Sequence, residues 1–174
     1  MLRKTLLYII VAGIWLSTAF TSPNSDEKWI ATIQLEGKSK PITLVSDAVY
    51  GGYNSVDKKI FLFGKNHMFQ NQNDNSNAQI FRDLCTTNAS GRFQFELNGL
   101  QNENPSAKPV SYQGNISFKK KFEISGVIQK LKKGDKFQKV IMTKGDLKAL
   151  GFQMTEEADK VMTGKFTLTF TSQN

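Results

Sequence analysis

VSYQGNISFKKKFEISGVI, residues 110–128, is the stretch of the sequence that predicts the fold most clearly. Apolar residues and glycines recur at every second position on both sides of the three lysines at 119–121. Alternation of apolar and polar residues is the pattern of a β-strand with one buried face. Two such strands joined by a short polar segment are typical of a β-hairpin. Residues 110–128 are therefore predicted to form one hairpin.

The same alternation recurs in the rest of the chain. It predicts further strands at 29–36, 41–44, 47–53, 60–63, 92–97, 137–142 and 164–170, with a charged turn at 130–135. The polar tract that begins at Gly64 predicts a long loop leading into a short helix at 78–85, and a second helical segment is predicted at 156–162. About eight antiparallel strands with one or two short helices indicate a single all-β domain, either a sandwich or a closed barrel.

Residues 1–19 are predicted to be a signal peptide, with residues 20–174 as the mature domain. Arg3 and Lys4 precede the uncharged run Leu6–Leu16, and small residues follow at 17–19. This run is shorter than the roughly 18–20 apolar residues that span a membrane. An uncleaved anchor is the alternative. The expected location is outside the cytoplasm, either periplasmic or secreted.

Charge and cysteine content restrict the function further. The formal net charge is +8, and ten of the lysines lie between Lys119 and Lys148. Only three arginines occur in the whole chain. This argues against nucleic-acid binding, because the recognition of bases and phosphates usually depends on arginine. The single cysteine, Cys85, excludes an internal disulfide and is expected to be a small buried hydrophobe.

No reaction can be assigned from the sequence. His67 is the only histidine, and no second histidine or cysteine can join it and Cys85 in a zinc site. The segment around His67 has no nucleophile-elbow context, and a histidine in a polar loop is usually solvated. We therefore expect a protein that is not an enzyme and that uses no metal and no cofactor.

Four segments resemble the YceI-like family of exported bacterial proteins. They are VYGGYNSVDKKIFLF (49–63), GRFQFELNGL (91–100), YQGNISFKKKFEISGVIQKL (112–131) and MTKGDLKALGFQMTEEADKVMTGKFTLTF (142–170). The resemblance covers about 120 residues by pattern rather than by rare motifs. It implies an antiparallel, eight-stranded, lipocalin-like β-barrel that binds a long apolar chain such as an isoprenoid or a lipid.

Six side chains are predicted to face the interior of such a barrel and to line the ligand site. They are Phe93, Phe95, Phe118, Phe122, Ile124 and Phe166. They are expected to converge on one cavity of the several-hundred-Å³ size typical of ligand sites. The alternative is that these side chains fill a solid core.

A second hypothesis assigns the lysine-rich part of the chain to an interaction surface. It predicts contact with an anionic membrane, a polysaccharide or an acidic protein. The lysines expected at exposed turns near one end of the barrel are Lys119, Lys120, Lys121, Lys132 and Lys133. The alternative is that they only keep the protein soluble and protect strand edges. The oligomeric state is not predicted.

Overall fold

The computed structural model describes residues 27–65, 68–71, 74–88, 91–100, 105–117 and 121–173. They form eight strands and two helices. The strands are β1 (Glu27–Gly37), β2 (Ile42–Asn54), β3 (Lys59–Lys65), β4 (Arg92–Asn98), β5 (Val110–Ser117), β6 (Lys121–Lys133), β7 (Lys136–Asp146) and β8 (Met162–Ser172), and the helices are α1 (Asn75–Asn88) and α2 (Glu156–Val161).

The strands form a closed antiparallel barrel in the order β1 to β8. Each strand pairs with the next along the chain, and β8 returns to pair with β1 from Trp29↔Ser172 to Leu35↔Phe166. The predicted all-β, eight-stranded barrel is confirmed, and the sandwich alternative is wrong. The predicted hairpin is confirmed as well, because β5 and β6 pair from Val110↔Ile128 to Ser117↔Lys121.

Alternation along the strands separates the interior of the barrel from its outer surface. In β8, every second residue from Met162 to Ser172 is buried, and the residues between them are exposed or partly exposed. β1 has the same alternation from Trp29 to Leu35. Burying these apolar faces against one another is the main contribution to the stability of such a barrel.

Two predicted boundaries are wrong. The separate strands at 41–44 and 47–53 are one strand, β2, which carries a bulge where Trp29 pairs with Val49 but Ala31 pairs with Ser46. The bulge shifts the buried positions from even to odd numbers, and this break in the alternation resembles a turn in the sequence. The predicted turn at 130–135 is also mostly strand, since β6 continues to Lys133 and only Gly134 and Asp135 connect it to β7.

Both predicted helices are confirmed. α1 extends beyond the predicted 78–85, and Asp74 begins it by accepting hydrogen bonds from the backbone N–H groups of Ser76 and Asn77 at 3.1 and 3.3 Å. α2 begins after Thr155, whose Oγ1 accepts a hydrogen bond from the Ala158 N–H at 3.2 Å. In the part of the chain that the structure describes, no helix is long and apolar enough to cross a membrane.

α1 lies across one end of the barrel, which we call the capped end. Its buried residues are Ala78, Phe81 and Leu84. Phe81 meets barrel residues and the connecting segment 147–152, and α1 also contacts α2. The β2–β3 and β6–β7 turns lie at the opposite end, where Glu27 begins β1.

Candidate functional site

The interior of the barrel contains most of the predicted ligand-binding residues. Phe93, Phe95 and Phe166 are buried in the core, and Phe122 and Ile124 are partly buried and pack against it. Phe118 lies outside the described residues. The period-two alternation therefore placed the described aromatic side chains on the inner face.

A chain of aromatic contacts connects Phe93 and Phe95 through a residue outside the predicted set. The ring centroid of Phe170 lies 4.8 Å from that of Phe95 and 6.1 Å from that of Phe93. Tyr112 completes the contact on the other side of Phe95, with centroids 6.0 Å apart. Phe170 shares the inner face of β8 with Phe166, so the alternation in the sequence was sufficient to include it.

Two further aromatic rings come from the segment between β3 and β4. Phe69 lies 6.0 Å from Phe93 and 5.7 Å from Phe81, measured between ring centroids. Two backbone hydrogen bonds between Gln70 and Val45, of 2.8 and 2.9 Å, fix the segment that carries Phe69. Sequence reasoning predicted the helix but missed Phe69, because an isolated phenylalanine among Asn and Gln has no periodicity.

A small apolar void lies between α1 and the barrel wall. Its volume is about 20 Å³, and it is lined by Ile33, Phe81, Ile116, Leu147, Leu150, Phe152, Phe166 and Leu168. A ligand site is usually several hundred Å³, so a ligand can occupy this region only if side chains or α1 move. The predicted large cavity among the six residues remains a prediction.

Phe166 also lines a groove that is open on the outer surface. The groove has a volume of about 370 Å³ and is lined by Gln34, Leu35, Glu36, Pro41, Lys144, Gly145, Lys165, Phe166 and Thr167. Gly145 lies against the Phe166 ring, since a Cβ atom at this position would lie 2.9 Å from Cζ of the ring. Phe166 is thus the side chain that the outer groove and the inner void share.

Comparison with known proteins shows similarity in structure only. No family model and no curated protein matches the sequence. A polyisoprenoid-binding domain from Saccharophagus degradans, implicated in plant cell wall breakdown, is similar with a TM-score of 0.58 and 9% identity over 83% of this chain and 91% of that chain. BcnA from Burkholderia cenocepacia is similar with a TM-score of 0.55 and 11% identity over 82% of this chain and 94% of that chain.

Both of these structures are YceI-like barrels of the lipocalin type. This chain has the YceI-like fold. The family resemblance inferred from the four sequence segments is therefore confirmed for the fold.

Three of the polar side chains inside the barrel have partners that the structure defines. The Tyr112 hydroxyl contacts the carbonyl oxygen of Met142 at 3.5 Å, and the Thr143 hydroxyl donates to the Ser125 carbonyl at 2.7 Å. Burial raises the pKa of Tyr112 well above its usual value, so this hydroxyl stays neutral at physiological pH. At the end opposite α1, Lys139 Nζ lies 3.0 Å from Glu27 Oε2, and both side chains are only 8% exposed.

The lysines predicted to form one surface are divided between the two ends of the YceI-like barrel. Lys121 begins β6 at the capped end, whereas Lys132 and Lys133 end it at the opposite end. A strand of 13 residues spans about 40 Å at about 3.3 Å per residue. The prediction that they lie near one end is therefore wrong for these three residues, and Lys119 and Lys120 lie outside the described residues.

Lys121 also has a structural partner. Its Nζ lies 3.2 Å from Glu96 Oε2, and Lys59 Nζ lies 2.6 Å from Glu96 Oε1. The Glu96 side chain is 11% exposed although it points away from the barrel interior. Desolvation acts to raise the pKa of Glu96, but the hydrogen bonds and charges of the two lysines outweigh it and lower this pKa below its ordinary value of 4.5.

The lowered pKa of Glu96 predicts a loss of stability in acid. The ionised carboxylate stabilises the folded state above the pKa of the unfolded chain, and this contribution disappears as the pH falls through the lower pKa of the folded state. The stabilities of the parent and of Glu96→Gln, measured by urea unfolding, should therefore differ at pH 7 and begin to converge only as the pH falls below about 4.5. A difference that does not change with pH would contradict the assigned ion pairs.

No catalytic or metal centre emerges from the described residues. Among them, no group of three or more His, Cys, Asp or Glu side chains could hold a metal ion. His67 and the side chain of Cys85 lie outside what the structure describes. The expectations for these two residues stay predictions.

Proposed function

We propose that this protein is a binding protein, and not an enzyme, that holds a long apolar chain such as an isoprenoid or a lipid inside the barrel. The observation that carries the proposal is the apolar and aromatic interior that is closed at one end by a helix rather than by the sheet. The fold shared with the polyisoprenoid-binding domain from S. degradans supports it.

α1 is the part of the barrel that can move to admit a ligand. It contributes Phe81 and Leu84 to the core, but it takes no part in the ladder of strand hydrogen bonds. Its displacement would leave all eight strand pairings intact. Eight strands enclose an interior that holds side chains or one small ligand, so an apolar chain could occupy the space that the α1 side chains leave.

The energetics of this exchange are favourable for a long chain. Each methylene removed from water contributes about 0.8 kcal/mol. A ligand that occupies the space of the Phe81 and Leu84 side chains first restores the apolar contacts that are lost when α1 moves. Every methylene beyond that number adds to the affinity. A short ligand does not offset the loss of the α1 contacts.

The first test of the proposed function is a series of fatty alcohols of increasing chain length. The affinity is expected to rise roughly fourfold for each methylene that enters the barrel, and then to level off. Native mass spectrometry of the purified protein should also detect an apolar ligand that remains bound. Affinity that does not depend on chain length would indicate a solid core.

Two matched variants, measured with the same series of alcohols, test whether the ligand binds beneath α1. Phe81→Ala should change the affinity for the longer alcohols, because Phe81 lines the inner void. Tyr50→Ala removes an aromatic ring that is 53% exposed on the outer surface, so it should leave the affinity unchanged. Equal effects of the two substitutions would contradict binding beneath α1.

We also propose that the protein is exported, with residues 1–19 removed as a signal peptide, to the periplasm or the medium. The charged start and the apolar run at 6–16 support this proposal. The mass of the protein isolated from its host tests it directly, because cleavage leaves a chain that begins near Phe20 or Ser22. An intact mass would favour an anchor.

A further inference from the structure

The hairpin of β6 and β7 extends beyond its neighbours. The β5 ladder ends at the pair Val110↔Ile128, and the β8 ladder begins at Val140↔Thr171. Residues 130–139 therefore pair with each other around Gly134 and Asp135, and no third strand among the described residues lies beside them. We call this two-stranded segment the β6–β7 extension.

The base of the β6–β7 extension is fixed on both sides. The Lys130 N–H donates to the Ser106 carbonyl at 2.8 Å, and the Lys139 N–H donates to the Ser172 hydroxyl at 2.9 Å. The buried ion pair of Lys139 with Glu27 adds a third connection, to β1. The extension is thus held in one direction relative to the barrel.

The β6–β7 extension is strongly basic. Between residues 130 and 138 it carries four lysines and one aspartate, a formal net charge of +3. Lys132, Lys133 and Lys136 are exposed. All of the cations are lysines, which act as mobile point charges, whereas a defined phosphate or carboxylate pocket usually contains the planar fork of arginine.

Two large apolar side chains are exposed among these lysines. Leu131 is 42% exposed and Phe137 is 48% exposed. Phe137 pairs with Lys132 and Leu131 pairs with Gln138, so adjacent rows place the two side chains on opposite faces of the extension. Lys130 Nζ lies 4.7 Å from the centre of the Phe137 ring, which places a cation directly beside this apolar group.

We propose that the β6–β7 extension docks onto a membrane surface that contains anionic lipids. The lysines would lie among the headgroups, and Phe137 and Leu131 would lie at the boundary with the acyl chains. An apolar side chain with lysines beside it lies on each face of the extension. A membrane interface can surround the hairpin and contact both faces, whereas one flat acidic protein surface contacts only one of them.

The first described strand begins at the base of the β6–β7 extension. Glu27, the first described residue, is bound to Lys139 at the base of the extension. The chain that precedes Glu27 therefore joins the barrel at this same end, and it includes the apolar run at 6–16 only until residues 1–19 are removed, so in the mature protein the extension alone makes the proposed contact. This inference does not depend on the proposed ligand inside the barrel.

Flotation with lipid vesicles tests the proposal. The parent should bind vesicles of phosphatidylcholine and phosphatidylglycerol in equal parts, and not vesicles of phosphatidylcholine alone. Lys132→Gln with Lys133→Gln should lower the binding roughly 25-fold, at about fivefold for each lysine. Added salt should weaken the binding of the parent, because the Debye length is only about 8 Å at physiological ionic strength.

The control removes two exposed lysines from the opposite end of the barrel, in the turn between β1 and β2. Lys38→Gln with Lys40→Gln makes the same change in net charge, and the parent and all variants are the mature chain without residues 1–19. We expect the control to bind like the parent. Equal losses in the two double variants, or parent-like binding by the Lys132 and Lys133 variant, would overturn the proposal.

Fluorescence gives a second measurement. Phe137→Trp places an indole on the β6–β7 extension, and its emission should shift to the blue on the anionic vesicles if position 137 reaches the interface. The mature chain lacks Trp15 and keeps only Trp29, which is buried, so the mature parent supplies the background signal. An unchanged emission spectrum on bound vesicles would overturn the proposal, because the vesicles would then be bound by a part of the protein other than the extension.

Discussion

Phe95→Ala is expected to lower the free energy of unfolding by about 3–5 kcal/mol, because it leaves a void where packed atoms were. Phe95 is fully buried and its ring contacts those of Phe170 and Tyr112. Chemical denaturation measures the loss. The matched control is Phe63→Ala on the outer surface, where the ring is 41% exposed and a smaller effect is expected.

The loss of stability in Phe95→Ala also shows whether the interior of the barrel is filled with side chains or contains a pocket. If the ring forms the wall of a cavity that already exists, its removal creates less new void, and the affinity for an apolar ligand changes instead. A loss of stability as small as that of Phe63→Ala would contradict the ring contacts described for Phe95. A large loss together with alcohol binding would indicate that α1, and not the centre of the barrel, makes room for the ligand.

Lys139→Met is expected to lower the free energy of unfolding by about 3–5 kcal/mol, since it leaves the buried Glu27 carboxylate without the cation beside it. The control is Lys28→Met, which breaks the exposed pair with Asp47, where the charged atoms lie 3.9 Å apart. An exposed pair contributes about 1 kcal/mol or less. Similar losses in the two variants would show that the Glu27 pair is not effectively buried.

A double variant tests the same pair in another way. Glu27→Gln combined with Lys139→Met removes both charges, so no uncompensated charge is left inside the barrel. The double variant should recover much of the stability that Lys139→Met loses, because replacing a whole buried ion pair is often nearly neutral. Losses that simply add would indicate that the two side chains act independently.

The sequence predicted the parts of the fold that depend on local periodicity. The alternation in β5, β6 and β8 was sufficient to assign these strands and the inward direction of residues such as Phe93 and Phe166. It could not assign what depends on pairing between distant strands. The bulge at Ser46 resembled a turn, and the lysines at 130–133 resembled a loop because the strand that pairs with them follows later in the chain.

The candidate site was predicted only in part, for a related reason. Alternate residues in the sequence show which side chains of a strand face inward. The side chains that fill the barrel also come from segments between the strands that fold back into it. Phe69 enters the core through the Gln70–Val45 backbone pairing, which leaves no periodic signal. Similarly, the distance between Lys121 and Lys132 depends on β6 being one continuous strand.

Closure of the barrel by β1 and β8 has a consequence for the order of folding. The strand that completes the sheet is Met162–Ser172, which is made after the other seven strands, and its partner Glu27–Gly37 is the first of the eight. Pairing across such a separation is slow because most of the chain must be ordered first. Until β8 is added, β1 and β7 each keep an unpaired edge that can join another chain. A nascent chain that ends before Met162 is therefore an aggregation-prone open sheet, and the eleven residues of β8 remove both open edges in one step.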